Sequence, residues 1–203
     1  MQIDLFEGNK DPRIPVEIRD GNYVHIPNFY STEKADFYMD SFKNRIVWKQ
    51  ESMFLYGKEV NFPRLTAWYG DNDKSYSFSG ITLQPLGWTD ELDVIKSDIE
   101  SFSQCSFNSV LLNRYRDGND SISWHTDAEK ELGRNPIIGS VNFGTERVFQ
   151  LRHIHTKERI DIPLKHGSLL IMGGSIQHFW QHQVPKSKKV NQERINLTFR
   201  VIK

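Results

Sequence analysis

The chain has 203 residues, enough for one domain with a sizeable core. Its 26 Lys and Arg balance 26 Asp and Glu, which excludes a uniformly basic coat for nucleic acid but not a local basic face. The single cysteine, Cys105, excludes an internal disulfide and suits a reducing cytosol, and no apolar run or leader pattern points to a membrane.

The first twenty residues read as an arm, because Pro12 and Pro15 oppose regular structure. Residues 21–203 read as one domain. Tyr23 to Phe29 suits a strand. Ser31 is placed to cap a helix whose apolar face is Ala35, Tyr38, Met39 and Phe42. Phe54 to Lys58 forms an aromatic turn. Thr89 caps a second helix with a stripe of Leu92, Ile95, Ile99 and Phe102, and Cys105 is small core filler at its end. Beyond Phe107 short strands dominate: 107–115, 137–143, 146–153, 159–164, 168–172, 178–184 and 194–202. This pattern predicts a mainly β chain with flanking helices, a sandwich or jelly roll.

Three segments carry chemistry. His125 and Asp127 are two apart, and in an extended chain alternate side chains share a face. A second histidine alongside, His182 after Gln181, completes two imidazoles and one carboxylate. That set leaves three adjacent positions open on a metal, as in non-haem Fe(II) oxygenases. The last strand alternates without a break. Ile195, Leu197, Phe199 and Val201 share one face; Arg194, Asn196, Thr198 and Arg200 share the other. A solvated face more often carries Lys, Glu and Ser. A guanidinium grips a carboxylate with two prongs, so this row reads as the floor of an anion pocket. Asn113 and Tyr115, ending the run FNSVLLNRY, add hydrogen-bond donors.

The other histidines have plainer readings. His178 and His182 are four apart, as in zinc-binding HExxH helices, but Phe179 stands where that motif needs Glu. His153 and His155 precede Thr156-Lys157-Glu158 and read as solvent-facing at a hairpin tip, while His25 and His166 read as ordinary hydrogen-bonded residues. Two histidines and an aspartate can also hold zinc for hydrolysis, yet no general base accompanies them. A jelly roll that has lost its metal is a third reading, opposed by the intact triad and both arginines. Lys43, Arg45 and Lys49, and Lys186, Lys188 and Lys189, are either solvated loops or phosphate contacts.

Asn113-Arg114-Tyr115-x-Asp117-Gly118, His125-x-Asp127, His182 and Arg194-x-Asn196-Leu197-Thr198-Phe199-Arg200, in this order, resemble the AlkB family of Fe(II)- and 2-oxoglutarate-dependent nucleic-acid demethylases. The resemblance runs from about Pro63 to the C-terminus. It includes Tyr76-x-Phe78-Ser79-Gly80 and His166-Gly167-Ser168-Leu169-Leu170. It implies a double-stranded β-helix, with 21–106 a nucleotide-recognition region and 107–203 the catalytic core. It implies iron on His125, Asp127 and His182, with 2-oxoglutarate and O2 as cosubstrates. Asn113, Tyr115, Arg194, Asn196, Thr198 and Arg200 would hold the 2-oxo acid. In this reading Arg194, with Tyr115 and Thr198, takes the distal carboxylate and Arg200 and Asn113 the end nearer the iron, the reverse assignment of the two arginines being the alternative. Tyr76 and Phe78 fall in the lid over the substrate base. Phe54-Leu55-Tyr56-Gly57-Lys58 resembles the hydrophobic finger of duplex-acting members, with Tyr56 at its tip. Glu129 stands where members read the exocyclic amine of adenine or cytosine, although Ala128 replaces the Asp that close relatives often carry. The implied reaction is oxidative demethylation of N1-methyladenine and N3-methylcytosine in DNA, with RNA as an alternative, releasing formaldehyde, succinate and CO2. The implied partner is alkylated nucleic acid, with the chain acting as a monomer away from membranes. A small molecule or a protein is the alternative substrate.

Overall fold

The computed structural model describes residues 13–55, 57–71, 76–78 and 81–203. In chain order come β1 (Val16–Ile18), β2 (Gly21–Ile26), α1 (Thr32–Arg45), β3 (Ser52–Leu55), β4 (Lys58–Asn61), β5 (Leu65–Gly70), β6 (Tyr76–Phe78) and β7 (Ile81–Leu83). After α2 (Asp90–Ser103) follow β8 (Ser109–Tyr115), β9 (Ile122–His125), β10 (Ile138–Gly144), β11 (Arg147–His153), β12 (Arg159–Leu164) and β13 (Ser168–Gly173). One helical turn, α3 (Ile176–Phe179), precedes β14 (Trp180–Val184) and β15 (Arg194–Arg200).

The strands assemble into a large sheet, β1-β2-β13-β10-β15-β8-β5, and a small one, β12-β11-β14-β9, with two separate hairpins, β3-β4 and β6-β7. Alternation along β13 shows how the layers stack. Leu170 and Met172 meet Phe149, Leu151, Trp180 and Val184 between the sheets. Leu169 and Ile171 point the other way, into a core shared with Tyr38 and Phe42 of α1 and Leu92, Ile95 and Ile99 of α2. The large sheet is therefore covered on both faces, which is why its central strands read as almost unbroken apolar runs. Ile95, Ile99 and Leu112 are wholly enclosed, and truncating one of them to Ala costs about 2–5 kcal/mol. This is the jelly-roll arrangement that the sequence implies.

Both helix caps form as read: Ser31 accepts from the Lys34 N–H and Thr89 from the Leu92 N–H. Cys105 packs partly buried against the core beyond α2. Three details differ. Val16–Ile18, inside the stretch read as an arm, pair with β2, so order begins before residue 21. β2 and β5 belong to the large sheet, so the jelly roll is not confined to 107–203. The segment read as a strand over 178–184 opens with the last two residues of α3, so His178 lies on a helical turn and is exposed. No helix among the described residues is long and apolar enough to cross a membrane.

Candidate metal centre and cosubstrate pocket

β15 divides its side chains as the alternation requires. Ile195, Leu197 and Phe199 enter the helix-covered core. Arg194, Asn196, Thr198 and Arg200 face the small sheet and line a cavity with Asn113, Tyr115, His125, Asp127 and His182. Register makes the floor continuous: Asn196 pairs with Asn142 of β10 on one side and Asn113 of β8 on the other. The Asn196 Nδ2 donates to Ser140 Oγ (2.9 Å) and Asn142 Oδ1 (3.1 Å), and Thr198 Oγ1 donates to Asn196 Oδ1 (2.9 Å). The Asn196 amide is thus engaged within the protein and fixes its neighbours.

The triad sits at one end of this cavity. His182 of β14 faces His125 of β9 in register, just before the pairing slips at a bulge. One ligand atom from each of His125, Asp127 and His182 lies within 4.8 Å of the others. His125 Nδ1 is 2.7 Å from the Ser123 carbonyl oxygen, which can only accept. That nitrogen therefore carries the proton, and Nε2 presents its lone pair. Burial, then the facing His125, pushes the His182 pKa down to about 3, so its ring is neutral. Burial alone would raise Asp127, but the Arg200 guanidinium 2.9 Å away and the two histidines hold it down to about 2. The free Nε2 of His125, the neutral ring of His182 and an ionised carboxylate are the donor set that suits iron(II).

At the other end, Arg194 is 1% exposed. Its Nη2 donates to Asn142 Oδ1 at 2.6 Å, and its guanidinium lies 4.9 Å over the Tyr115 ring. Its Nε and Nη1 are buried with no partner among the described residues. A buried cation with two free donors fits a carboxylate ligand.

Residues 22–200 match the family model described as the 2OG-Fe(II) oxygenase superfamily. The chain belongs to this superfamily. Membership gives Fe(II) as the metal and 2-oxoglutarate and O2 as cosubstrates, which the triad and the arginine-lined cavity of this oxygenase fit. The AlkB resemblance is borne out by its relatives. The Bos taurus alpha-ketoglutarate-dependent dioxygenase alkB homolog 3 is 41% identical over 186 residues, covering 87% of this chain and 64% of that protein. The Homo sapiens DNA oxidative demethylase ALKBH2 is 41% identical over 156 residues, covering 73% of this chain and 60% of that protein. The oxygenase therefore spans less than two thirds of the length of these relatives. The solved structure of OsALKBH1 matches with a TM-score of 0.67 over 91% of this chain and 100% of that one, at 16% identity, which shows the common fold.

A second, open groove of about 1080 Å³ adjoins the oxygenase's cosubstrate cavity. The two share a wall of Arg64, Ile122 and His125. Met53 and Val60 of the β3-β4 hairpin line the groove, as does Glu129, whose Oε2 is buried without a hydrogen-bond partner among the described residues. Glu129 occupies the N-cap position of a short 3-10 turn, Lys130–Leu132, with no side-chain capping bond. Lys58 and Gly57 are exposed where β3 meets β4, and Gly57 has φ +77°, a conformation that favours glycine. Tyr56 lies outside the described residues. Tyr76 and Phe78 belong to β6, but their side chains lie outside the described residues.

Several residues depart from the sequence reading. His153 is not solvent-facing: it is 2% exposed, because it is in phase with Phe149 and Leu151 on the inner face of β11. Its Nδ1 accepts from the His155 and Thr156 N–H groups, and its Nε2 lies 3.1 Å from Asp20 Oδ2. His155 is exposed as expected. His166 Nδ1 accepts the Gly144 N–H, an ordinary hydrogen bond, whereas His25 Nε2 is buried without one among the described residues. Lys43 and Arg45 form ion pairs with Glu193 and Glu91, so they are tied to the protein's own surface.

Two site residues escaped the sequence reading. Arg64, 4% exposed, donates from Nε to Asn113 Oδ1 at 2.8 Å and stands in both cavities. Gln177 accepts the Asp127 N–H at 2.9 Å. Arg64 follows Pro63, where the family resemblance begins, and that position was the available signal. No local pattern marks Gln177.

Proposed function

We propose that this oxygenase removes alkyl groups from ring nitrogens of bases in DNA, with N1-methyladenine and N3-methylcytosine as substrates. The observation that carries the reading is the junction at His125: an arginine-lined cavity on one side of the triad and a larger groove on the other. His125, Asp127 and His182 would hold the iron, which with 2-oxoglutarate and O2 supplies the oxidising chemistry. Arg200 and Asn113 would hold the 2-oxo acid near the metal. Arg194, with Tyr115 and Thr198, would hold its far carboxylate. Phe149, stacked 5.2 Å from the His182 ring, limits water around the reacting centre.

The groove supports a flipped base. Glu129 offers an unpaired acceptor for an exocyclic amine. Phe54 on the hairpin is 76% exposed, so its ring is open to contact by a ligand in the groove. Lys186, Lys188 and Lys189 are exposed on a loop held in place by the Ser187 N–H to Gly118 carbonyl bond and the Gly118 N–H to Val190 carbonyl bond. A Cβ at Gly118 would collide with the Ser187 carbonyl, so glycine permits this approach. A preordered basic loop beside the site suits backbone phosphates. The test is release of succinate and formaldehyde from methylated oligonucleotides, single- and double-stranded. Turnover requiring Fe(II), 2-oxoglutarate and O2 is expected. No activity on either oligonucleotide would favour a small-molecule or protein substrate, and turnover under nitrogen without cosubstrate would favour zinc hydrolysis.

A further inference from the structure

The shared face of His125 and Asp127 does not follow from the strand alone. β9 ends at His125, and Thr126 to Glu129 run without ladder pairing. Asp127 is nevertheless 3% exposed, its carboxylate turned to Arg200 and His182. Its backbone N–H, past the last ladder bond and buried, needs an acceptor. That acceptor is the side-chain oxygen of Gln177, at 2.9 Å.

Gln177 sits on α3, five residues before His182, and is 1% exposed. Its Nε2 has Met172 Sδ at 3.8 Å, a weak acceptor on the wall of the cosubstrate cavity. The orientation of its amide is fixed by chemistry, since only the oxygen can accept the Asp127 N–H. A buried amide so placed links the loop carrying one triad member to the segment leading into another.

We infer that Gln177 is a positioning residue for the metal centre: its Oε1 holds the Asp127 backbone in the extended path that brings the carboxylate beside His125 and His182. It touches neither metal nor substrate and acts through Asp127. Partners that orient a ligand in this way change metal affinity by about 10–100-fold when removed. The inference rests on the triad being the metal site, and the wild-type titration separates the two: a wild type that binds no metal removes that reading, not just this refinement.

The test compares wild type, Gln177→Met and Gln177→Glu as full-length protein. Met keeps length and volume but has no oxygen, whereas Glu keeps an oxygen at the same reach. Manganese(II) affinity is measured anaerobically by electron paramagnetic resonance, alongside metal-free melting temperature. The expected result is a 10–100-fold weaker affinity in Gln177→Met and recovery to within about threefold of wild type in Gln177→Glu. Unchanged affinity in Gln177→Met, or equal loss in both variants, overturns the inference. Should Gln177→Met not fold, hydrogen exchange at the Asp127 amide of the metal-free wild type decides: strong protection is expected, and exchange at the rate of an open loop overturns it.

Discussion

Replacing Arg194 by Met tests whether the polar face of β15 is the cosubstrate floor. Met preserves most of the side-chain volume and deletes the cation. Arg194 is almost wholly enclosed; it donates to Asn142 Oδ1, interacts with Tyr115, and has buried Nε and Nη1 groups without a hydrogen-bond partner among the described residues. If a 2-oxoglutarate carboxylate takes those donors, the variant removes one partner of a buried charge pair. Such truncations cost about 2–5 kcal/mol, which is about thirtyfold to several-thousandfold in affinity at about 1.4 kcal/mol per decade. Without cosubstrate the sign reverses. A lone buried cation is itself costly, and exchanging it for an apolar group of similar size is often neutral or stabilising. Calorimetric titration of 2-oxoglutarate into the manganese-loaded protein should therefore show a steep loss of affinity, while the ligand-free melting temperature holds or rises. Unchanged affinity would refute the placement of the carboxylate. A large fall in ligand-free melting temperature would make Arg194 a structural residue instead.

Asp127→Ala should abolish Fe(II)-dependent turnover while circular dichroism still reports the folded state; near-full activity would discard the triad. Metal-free protein should lose stability as pH falls from about 6.5 towards 3: His182 takes a proton near 6.5 when unfolded but only near 3 when folded, so the unfolded state binds more protons in that window. A flat melting temperature between pH 7 and 4 would contradict its burial as a neutral ring. Tyr56→Ala should impair repair of double-stranded methylated oligonucleotides far more than single-stranded ones, because a wedge offsets unstacking of about a few kcal/mol per step only in a duplex; equal loss on both would make it a general pocket residue.

Much of this was legible because it is periodic. The alternation of Arg194 to Val201 assigned both faces of β15 correctly, since a strand between two layers must split its side chains. The helix stripes and their caps were equally local. What stayed hidden depended on distant partners. Lys43 and Arg45 look like a free basic cluster until Glu193 and Glu91 fold against them. His153 looks like a hairpin-tip residue until the turn at Asp20 covers it. Gln177 and Arg64 carry no motif, because each matters through a single contact to a residue 49 or 50 positions away.

The division of labour on β15 also explains how the fold tolerates its own pocket. A row holding two arginines, an asparagine and a threonine would not by itself keep a strand in the middle of a seven-stranded sheet. The opposite face does that: Ile195, Leu197 and Phe199 are completely buried against α1, α2 and their neighbours. Flanking strands then satisfy part of the polar row, through Ser140 and Asn142 from β10, while Asn113 from β8 turns its oxygen to Arg64. Among the described residues Arg194 keeps two buried donors without a hydrogen-bond partner, at the end of β15 away from Arg200 and the triad. In the proposed reading a ligand with two acidic ends would lie along this polar row, one end near the triad and the other at Arg194, because the row spans the cavity between them.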